Sequence, residues 1–161
     1  ASIRLYTEED YLPCLGIFDS NVPGYFAVTE RIEFEQFLRM PNADFFVVER
    51  EWIVIGCGGC YVRDAVGRLC WGMIDNASHR RSVGSALLAW RLDRLFLDHG
   101  VSKTGLDTSQ LSAPFFSRFG FEVDRVEQDG YAPGIDCVSM HLSRVAWLSR
   151  GNDASVSANA A

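Results

Sequence analysis

Ile74–Leu88 reads IDNASHRRSVGSALL. It follows an apolar, strand-like run, Leu69–Ile74. It then passes through a polar turn and two arginines into Ser82-Val83-Gly84-Ser85-Ala86, where a helical pattern begins. Small residues at a strand-to-helix turn let the backbone approach a ligand closely. The first helical turn leaves N–H groups unpaired and carries partial positive charge. Together these features suit an anion site for phosphate or pyrophosphate. Arg80 and Arg81 add charge-assisted donors beside it. An ordinary helix start can carry the same residues, so the flanking sequence has to decide.

Downstream, Val83–His99 is the strongest helix pattern in the chain. Leu88, Leu92, Leu95 and Phe96 fall on one stripe, and Gly100 ends it. Ser102–Thr108 reads as a strand and Ser112–Arg118 as a short helix. Phe121–Gln128 and Cys137–Leu142 read as the last strands, joined by a loop over Asp129–Asp136. Upstream, Ile3–Tyr6 is a strand. Thr7-Glu8-Glu9-Asp10 opens a helix, with Thr7 as N-cap and acids in the first turn. Asn21-Val22-Pro23-Gly24 is a turn, and Thr29–Met40 is a helix stopped by Pro41. Asp44–Arg50 and Trp52–Val62 form a hairpin. Asp64-Ala65-Val66-Gly67 then turns into a third antiparallel run, Arg68–Ile74. The order β-α-α-β-β-β-α-β-α-β-β implies an α/β (α+β) domain. Its sheet is mixed, mostly antiparallel and of about seven strands, flanked by about four helices. There is no G-x-G-x-x-G and hairpins precede the phosphate turn, so a dinucleotide-binding fold is excluded.

The opening run resembles motif A of the GCN5-related N-acetyltransferase (GNAT) superfamily, Val-x-Pro-x-x-Arg-x-x-Gly-x-Gly/Ala before a Leu-Leu helix. Ile74 takes the Val place, Asn76 the Pro place, His79 the Arg place, Ser82 the first Gly place and Gly84 the second. A shifted reading, Arg81-x-x-Gly84-x-Ala86, also satisfies the pattern. Ala113-Pro114-Phe115-Phe116-Ser117-Arg118-Phe119-Gly120-Phe121 resembles the end of motif B, Phe-Tyr-x-x-x-Gly-Phe. The two motifs stand in the family's order with a helix pattern between them. The resemblance runs from Ser2 to about Leu142.

The resemblance implies an N-acetyltransferase that moves an acetyl group from acetyl-CoA to a primary amine of a small molecule by direct attack. It implies that Met73, Ile74, His79, Arg80, Arg81, Ser82, Val83, Gly84, Ser85, Ala86, Ser109 and Phe116 face the coenzyme. The coenzyme's arm would add to the fourth strand around Trp71–Ile74. Backbone N–H near Met73–Ile74 would stabilise the oxyanion. The acceptor would lie between Asp19–Phe26 and Asp129–Asp136, with Asp19, Asn21, Tyr25, Phe26 and Tyr131 as candidate contacts. Three departures stand out. The family's motif B Tyr, which protonates the leaving thiolate, falls on Phe116, and its Asn falls on Ser109. The strand that holds a Glu base in some relatives has only Asp75 at its end. The thiolate could leave unprotonated, Tyr131 or Tyr25 could stand in, or the protein could bind CoA without efficient transfer. Tyr131, Ser109 and Asp75 are the catalytic candidates. A CoA-binding sensor with little turnover and a protein or peptide N-acetyltransferase are the alternative functions.

Composition sets the outer bounds. At 161 residues with 48% apolar content, one domain with a full core is expected, over 1–145, with a flexible tail over 146–161. The net charge of −6 argues against a nucleic-acid binder. No long apolar run suggests a membrane span, and ASIRLYTEED has no signal-peptide layout. With an odd number of cysteines, five, the expectation is a reducing cytoplasm. Cys57-Gly58-Gly59-Cys60 sits in a strand, where residues three apart face opposite ways, so no metal is expected there. The three histidines form no cluster. His99 suits a helix C-terminus, and His141 alternates within a strand. Strand edges and the last hairpin make a homodimer plausible.

Overall fold

The computed structural model describes residues 1–78 and 82–150. Runs of β-branched, aromatic and small residues form seven strands: β1 (Ser2–Leu5), β2 (Asp44–Arg50), β3 (Ile53–Arg63), β4 (Val66–Ile74), β5 (Lys103–Thr108), β6 (Glu122–Ala132) and β7 (Ile135–Ser143). Four helices are α1 (Tyr11–Ser20), α2 (Arg31–Arg39), α3 (Val83–Asp93) and α4 (Ala113–Arg118). A fifth, α5, covers residues 144–150. The sheet order is β1-β2-β3-β4-β5-β7-β6. All neighbours pair antiparallel except β4 and β5, which are parallel. This is the mixed α/β fold that the element order implies.

Several boundaries differ from the sequence reading for local reasons. Thr7 does not cap a continuous helix. A 3₁₀ turn over Glu8–Asp10 precedes α1, and the Asp10 carboxylate accepts the Thr7 N–H. The turn after β3 closes on Asp64 and Ala65 alone, both at positive φ, so Val66 and Gly67 already belong to β4. After Asp93, α3 loosens into a π-helical turn over Arg94–Asp98, and Gly100 at φ +68 ends it. Asp129–Asp136 is not a loop. β6 and β7 continue through it to a two-residue turn at Pro133-Gly134, and Asp129 takes the positive φ of an irregular register. Beyond β7, α5 docks by stacking Trp147 on Phe119 at 6.1 Å between ring centroids.

The sheet has an apolar core on each face. Leu87, Leu88, Leu92, Leu95 and Phe96 of α3 pack with Phe46, Leu106, Met140 and Leu142. On the other face Leu15, Phe18, Phe34 and Leu38 pack with Phe45, Val47 and Met73. The first strand is fastened by charge. Arg4 forks onto Asp10 at 2.8 and 2.9 Å and reaches Glu49 of β2 at 3.0 Å.

Two features of β4 shape the functional region. Only Gly67↔Thr104 and Arg68↔Gly105 tie it to β5, so the two strands splay beyond them. Opposite Gly58 of β3 stand two β4 residues, Trp71 and Gly72, because Gly59 pairs with Cys70 and Cys57 with Met73. This bulge puts Trp71 at φ +48, an unfavourable region for a bulky residue. Its indole is held by Phe34 at 4.9 Å and Phe37 at 6.2 Å.

Asp10 is 3% exposed. Burial pushes its carboxyl up, but the hydrogen bonds from Arg4 and Thr7 outweigh this and hold it below its ordinary range. A carboxyl whose folded pKa is depressed stabilises the fold above its unfolded pKa. It loses that contribution as pH falls through the folded value. Asp10→Ala should cost about 2 kcal/mol in urea unfolding at pH 7. The difference from wild type should shrink below about pH 4. An unchanged midpoint at pH 7 would remove Arg4–Asp10 from the determinants of stability.

Candidate active site

A cleft of about 470 Å³ opens where β4 and β5 part, and it reaches from α3 and α4 on one face of the sheet to the α1–α2 connection on the other. On the α3 face, Gly84 and Ser85 of the first helical turn line it, with Ser109, Ser112, Phe115 and Phe116 from the β5–α4 turn and α4. A Cβ on Gly84 would meet nothing closer than Ile74 Cγ1 and Phe115 Cζ at 3.7 Å. The fold therefore does not require glycine there, and the missing side chain leaves the helix start open toward the cleft. Ser109 is buried, and its hydroxyl accepts the Leu111 N–H at 3.3 Å. Phe116 is held edge-on to Phe121 at 5.6 Å.

The other face is aromatic and acidic, with Tyr25, Phe26, Glu30, Trp71, Asp107 and Tyr131. Asn21 lines the cleft and braces this wall. Its amide donates to the carbonyls of Ile17 and Ile74, both at 2.9 Å, and its own carbonyl accepts the N–H groups of Tyr25 and Phe26. Gln110 fixes the β6–β7 tip by donating to the Gly134 carbonyl at 2.7 Å and accepting the Asp136 N–H at 2.8 Å. Burial pushes the Glu30 carboxyl up against a hydrogen bond from the Ala27 N–H. Burial, a hydrogen bond with Cys137 and the nearby Asp107 and Glu30 carboxyls push the Tyr131 phenol well above its ordinary value. Asp107 is itself engaged, accepting from Ser139 Oγ at 2.8 Å and from Arg68 at 3.4 Å.

The cleft brings together Met73, Ile74, Gly84, Ser85, Ser109, Phe116, Asn21, Tyr25, Phe26 and Tyr131 from the sequence-derived candidates. His79, Arg80 and Arg81 lie outside the described residues. Ser82 and Ala86 are exposed on the first turn of α3, while Val83 points into the core; none of these three lines the cleft. Two candidates stand apart from it. Asp19 is on the surface, paired with Arg31 at 2.8 Å, because α1 turns its last acid outward. Asp75 continues the strand, donating its N–H to the Ile55 carbonyl at 2.8 Å and accepting the Ser78 N–H.

Sequence reasoning missed Glu30, Asp107 and Arg91, and named Trp71 only for its backbone; all four line the cleft. The only advance signal was glycine inside strands, at Gly58, Gly59 and Gly72, which marks a bulge or a close approach. Cys57 and Cys60 do lie on opposite faces of β3, one in each core. Among the described residues, no group of His, Cys, Asp and Glu is placed to hold a metal. Among the described residues, no helix is long and apolar enough to cross a membrane.

A family model described as "Acetyltransferase (GNAT) domain" matches residues 22–144. Solved structures share the fold. A Desulfovibrio desulfuricans protein described as a GNAT-family acetyltransferase superposes with a TM-score of 0.74 at 20% identity, over 89% of this chain and 98% of that one. The Escherichia coli ribosomal-protein-S18-alanine N-acetyltransferase gives 0.74 at 16%, over 88% and 92%. YncA of Salmonella typhimurium, solved with its cofactor acetyl-CoA, gives 0.67 at 15%, over 89% and 93%. No curated protein matches the chain.

Gly84 separates folding from binding. Gly84→Ala and Gly84→Glu should both keep the circular dichroism spectrum and melting profile of the parent. Gly84→Glu, which sets a carboxylate against the partial positive charge of the helix start, should weaken CoA binding at least about tenfold in calorimetry. Parental CoA affinity in the Glu variant would place the phosphates elsewhere.

Proposed function

Because this chain belongs to the GNAT acetyltransferase family, we propose that it transfers an acetyl group from acetyl-CoA to a primary amine of a small molecule. The observation that carries this reading is the splay of β4 from β5, with Gly84 at one end of the cleft and an aromatic, acidic wall at the other. The donor fits the residues present. The β5-facing edge of β4 from Leu69 to Met73 has no ladder partner among the described residues, which suits an extended amide chain laid along it. Gly84 and Ser85 leave room for phosphates at the positive end of α3. Acetyl-CoA supplies an activated acyl group on a sulfur that can leave.

The acceptor side supports a cationic amine. Glu30 attracts the ammonium, and Phe26, Trp71 and Tyr131 offer ring faces to a cation. The amine must lose a proton before its lone pair can attack. Glu30, with a carboxyl raised by burial, is suited to take it. Backbone N–H near Met73–Ile74 would stabilise the oxygen that gains charge. Phe116 cannot donate a proton, whereas the Tyr131 phenol stays protonated through the working range and can hydrogen-bond the departing sulfur. The hairpin tip fastened by Gln110 stands beside the acceptor side of the cleft, which supports a small acceptor.

A thermal-shift and thiol-release screen of acetyl-CoA with amines, amino acids, polyamines and short peptides tests the proposal. Thiol release with small amines but not peptides is expected. Release only with peptides would make the chain a protein N-acetyltransferase, and stabilisation without any release would make it a CoA sensor. On the accepted amine, Tyr131→Phe should lower kcat about 100-fold. Phe116→Tyr in that background should restore part of the loss. An unchanged kcat in Tyr131→Phe would remove the phenol from the mechanism. The base form of Glu30 is the active one, so kcat/KM should fall with decreasing pH through a pKa above the ordinary Glu range. Glu30→Gln should lose that limb together with at least about tenfold in rate. A limb that survives in Glu30→Gln belongs to another group.

A further inference from the structure

Arg91 belongs to the buried stripe of α3 and is 4% exposed. A guanidinium taken out of water is costly unless an anion or full hydrogen bonding compensates it. Here Nε donates to the Leu87 carbonyl at 3.4 Å and Nη1 to the Gly59 carbonyl at 3.3 Å, two long bonds to neutral acceptors. No carboxylate among the described residues pairs with it, and the titratable groups facing it are Cys57, Cys60 and Cys70. Burial keeps those thiols protonated, with Cys60 pushed up to about 12 and Cys70 to about 11. They supply no counter-charge.

The sheet makes room for this cation. A Cβ on Gly58 would come within 2.9 Å of the Arg91 Cζ, and one on Gly72 within 2.9 Å of Nη2. Gly72 holds that place because of the β4 bulge. Arg91 also lines the cleft, on the same helix as Gly84 and Leu87. From Gly84 to Arg91 is two helical turns, about 10 Å along the axis. Gly84 lies beside Ile74 and Arg91 lies under Gly72, so a donor arm laid along β4 from the start of α3 would pass Arg91.

We propose that Arg91 is an acyl-specificity residue, and that the cleft takes acyl thioesters whose short chain ends in a carboxylate, such as malonyl or succinyl, in preference to neutral chains of the same length. The proposal rests on the donor-cleft reading given above. A neutral chain end leaves the buried charge uncompensated, whereas a carboxylate forms a charge-assisted pair with it. The transfer balances as for acetyl. The amine nitrogen bonds to the thioester carbonyl carbon, the C–S bond breaks with its electron pair on sulfur, and the amine's proton ends on the thiol. The distal carboxylate is unchanged.

The test is calorimetric binding of CoA, acetyl-CoA, butyryl-CoA and succinyl-CoA to the wild-type protein, followed by thiol release with the accepted amine. Succinyl-CoA should bind at least tenfold tighter than butyryl-CoA. Arg91→Lys should keep a preference for the carboxylate, and Arg91→Met should bring the ratio near one. Equal wild-type affinities for succinyl- and butyryl-CoA, with CoA itself binding, would overturn this proposal alone and leave Arg91 as a strut for the bulge. Failure of CoA and every thioester to bind would overturn the donor-cleft reading and this proposal together. If Arg91→Met does not fold, the wild-type ratio and the Lys variant decide the question.

Discussion

Two residue pairs, Gly67–Thr104 and Arg68–Gly105, hold β4 against β5, and the cleft exists because the pairing stops there. Parallel strands that remained in register would bury this backbone edge and close the sheet. The bulge at Trp71 and Gly72 turns β4 away and puts a non-glycine residue at positive φ, a conformation that needs packing to hold it. The aromatic contacts of Trp71 with Phe34 and Phe37 supply that packing from one face, and Arg91 fills the space under the glycines from the other. Both cores thus converge on one irregular turn of strand.

The cleft is polarised across the sheet. On the α3 side stand a helix N-terminus and a buried cation; on the α1–α2 side stand Glu30, Asp107 and a ring of aromatic side chains. An anionic donor and a cationic acceptor would each meet opposite charge on its own side and like charge on the other. That arrangement favours one binding orientation through charge as well as shape. Supports lie a layer behind the walls. Asn21 shapes the α1–α2 turn by joining α1 to the end of β4, and Gln110 joins the hairpin tip to the β5–α4 turn.

The legible part of the chain was the part governed by local rules. The α3 stripe, the Gly100 stop, the two early hairpins and the small-residue helix start at Gly84 are periodicities and turn chemistries within a few residues of one another. The candidates they produced that reach the cleft are Met73 and Ile74 on β4, Gly84 and Ser85 of the α3 start, Ser109 and Phe116 around α4, Asn21, Tyr25 and Phe26 after α1, and Tyr131 of β6; Ser82, Val83 and Ala86 of the same α3 turn do not. Asp19 and Asp75 do not reach it, because a sequence position in the right segment does not set the direction of a side chain. Glu30 and Asp107 carried no sequence signal as site residues. Each is an ordinary acid at the edge of its element until a distant strand or hairpin is laid against it.

The sequence by itself determined the order of elements, the mixed sheet, the family resemblance and the anion-suited turn, since these follow from hydrophobic period and short-range backbone preference. Only the tertiary structure decided that β4 bulges opposite Gly58, that Arg91 lies buried beneath it with no carboxylate partner among the described residues, and that Glu30 and Tyr131 share one wall of the cleft. Those outcomes depend on register between strands and on burial, and both arise from contacts between residues far apart in the chain. The charge state and reach of a side chain are set by such neighbours, and no local pattern encodes them.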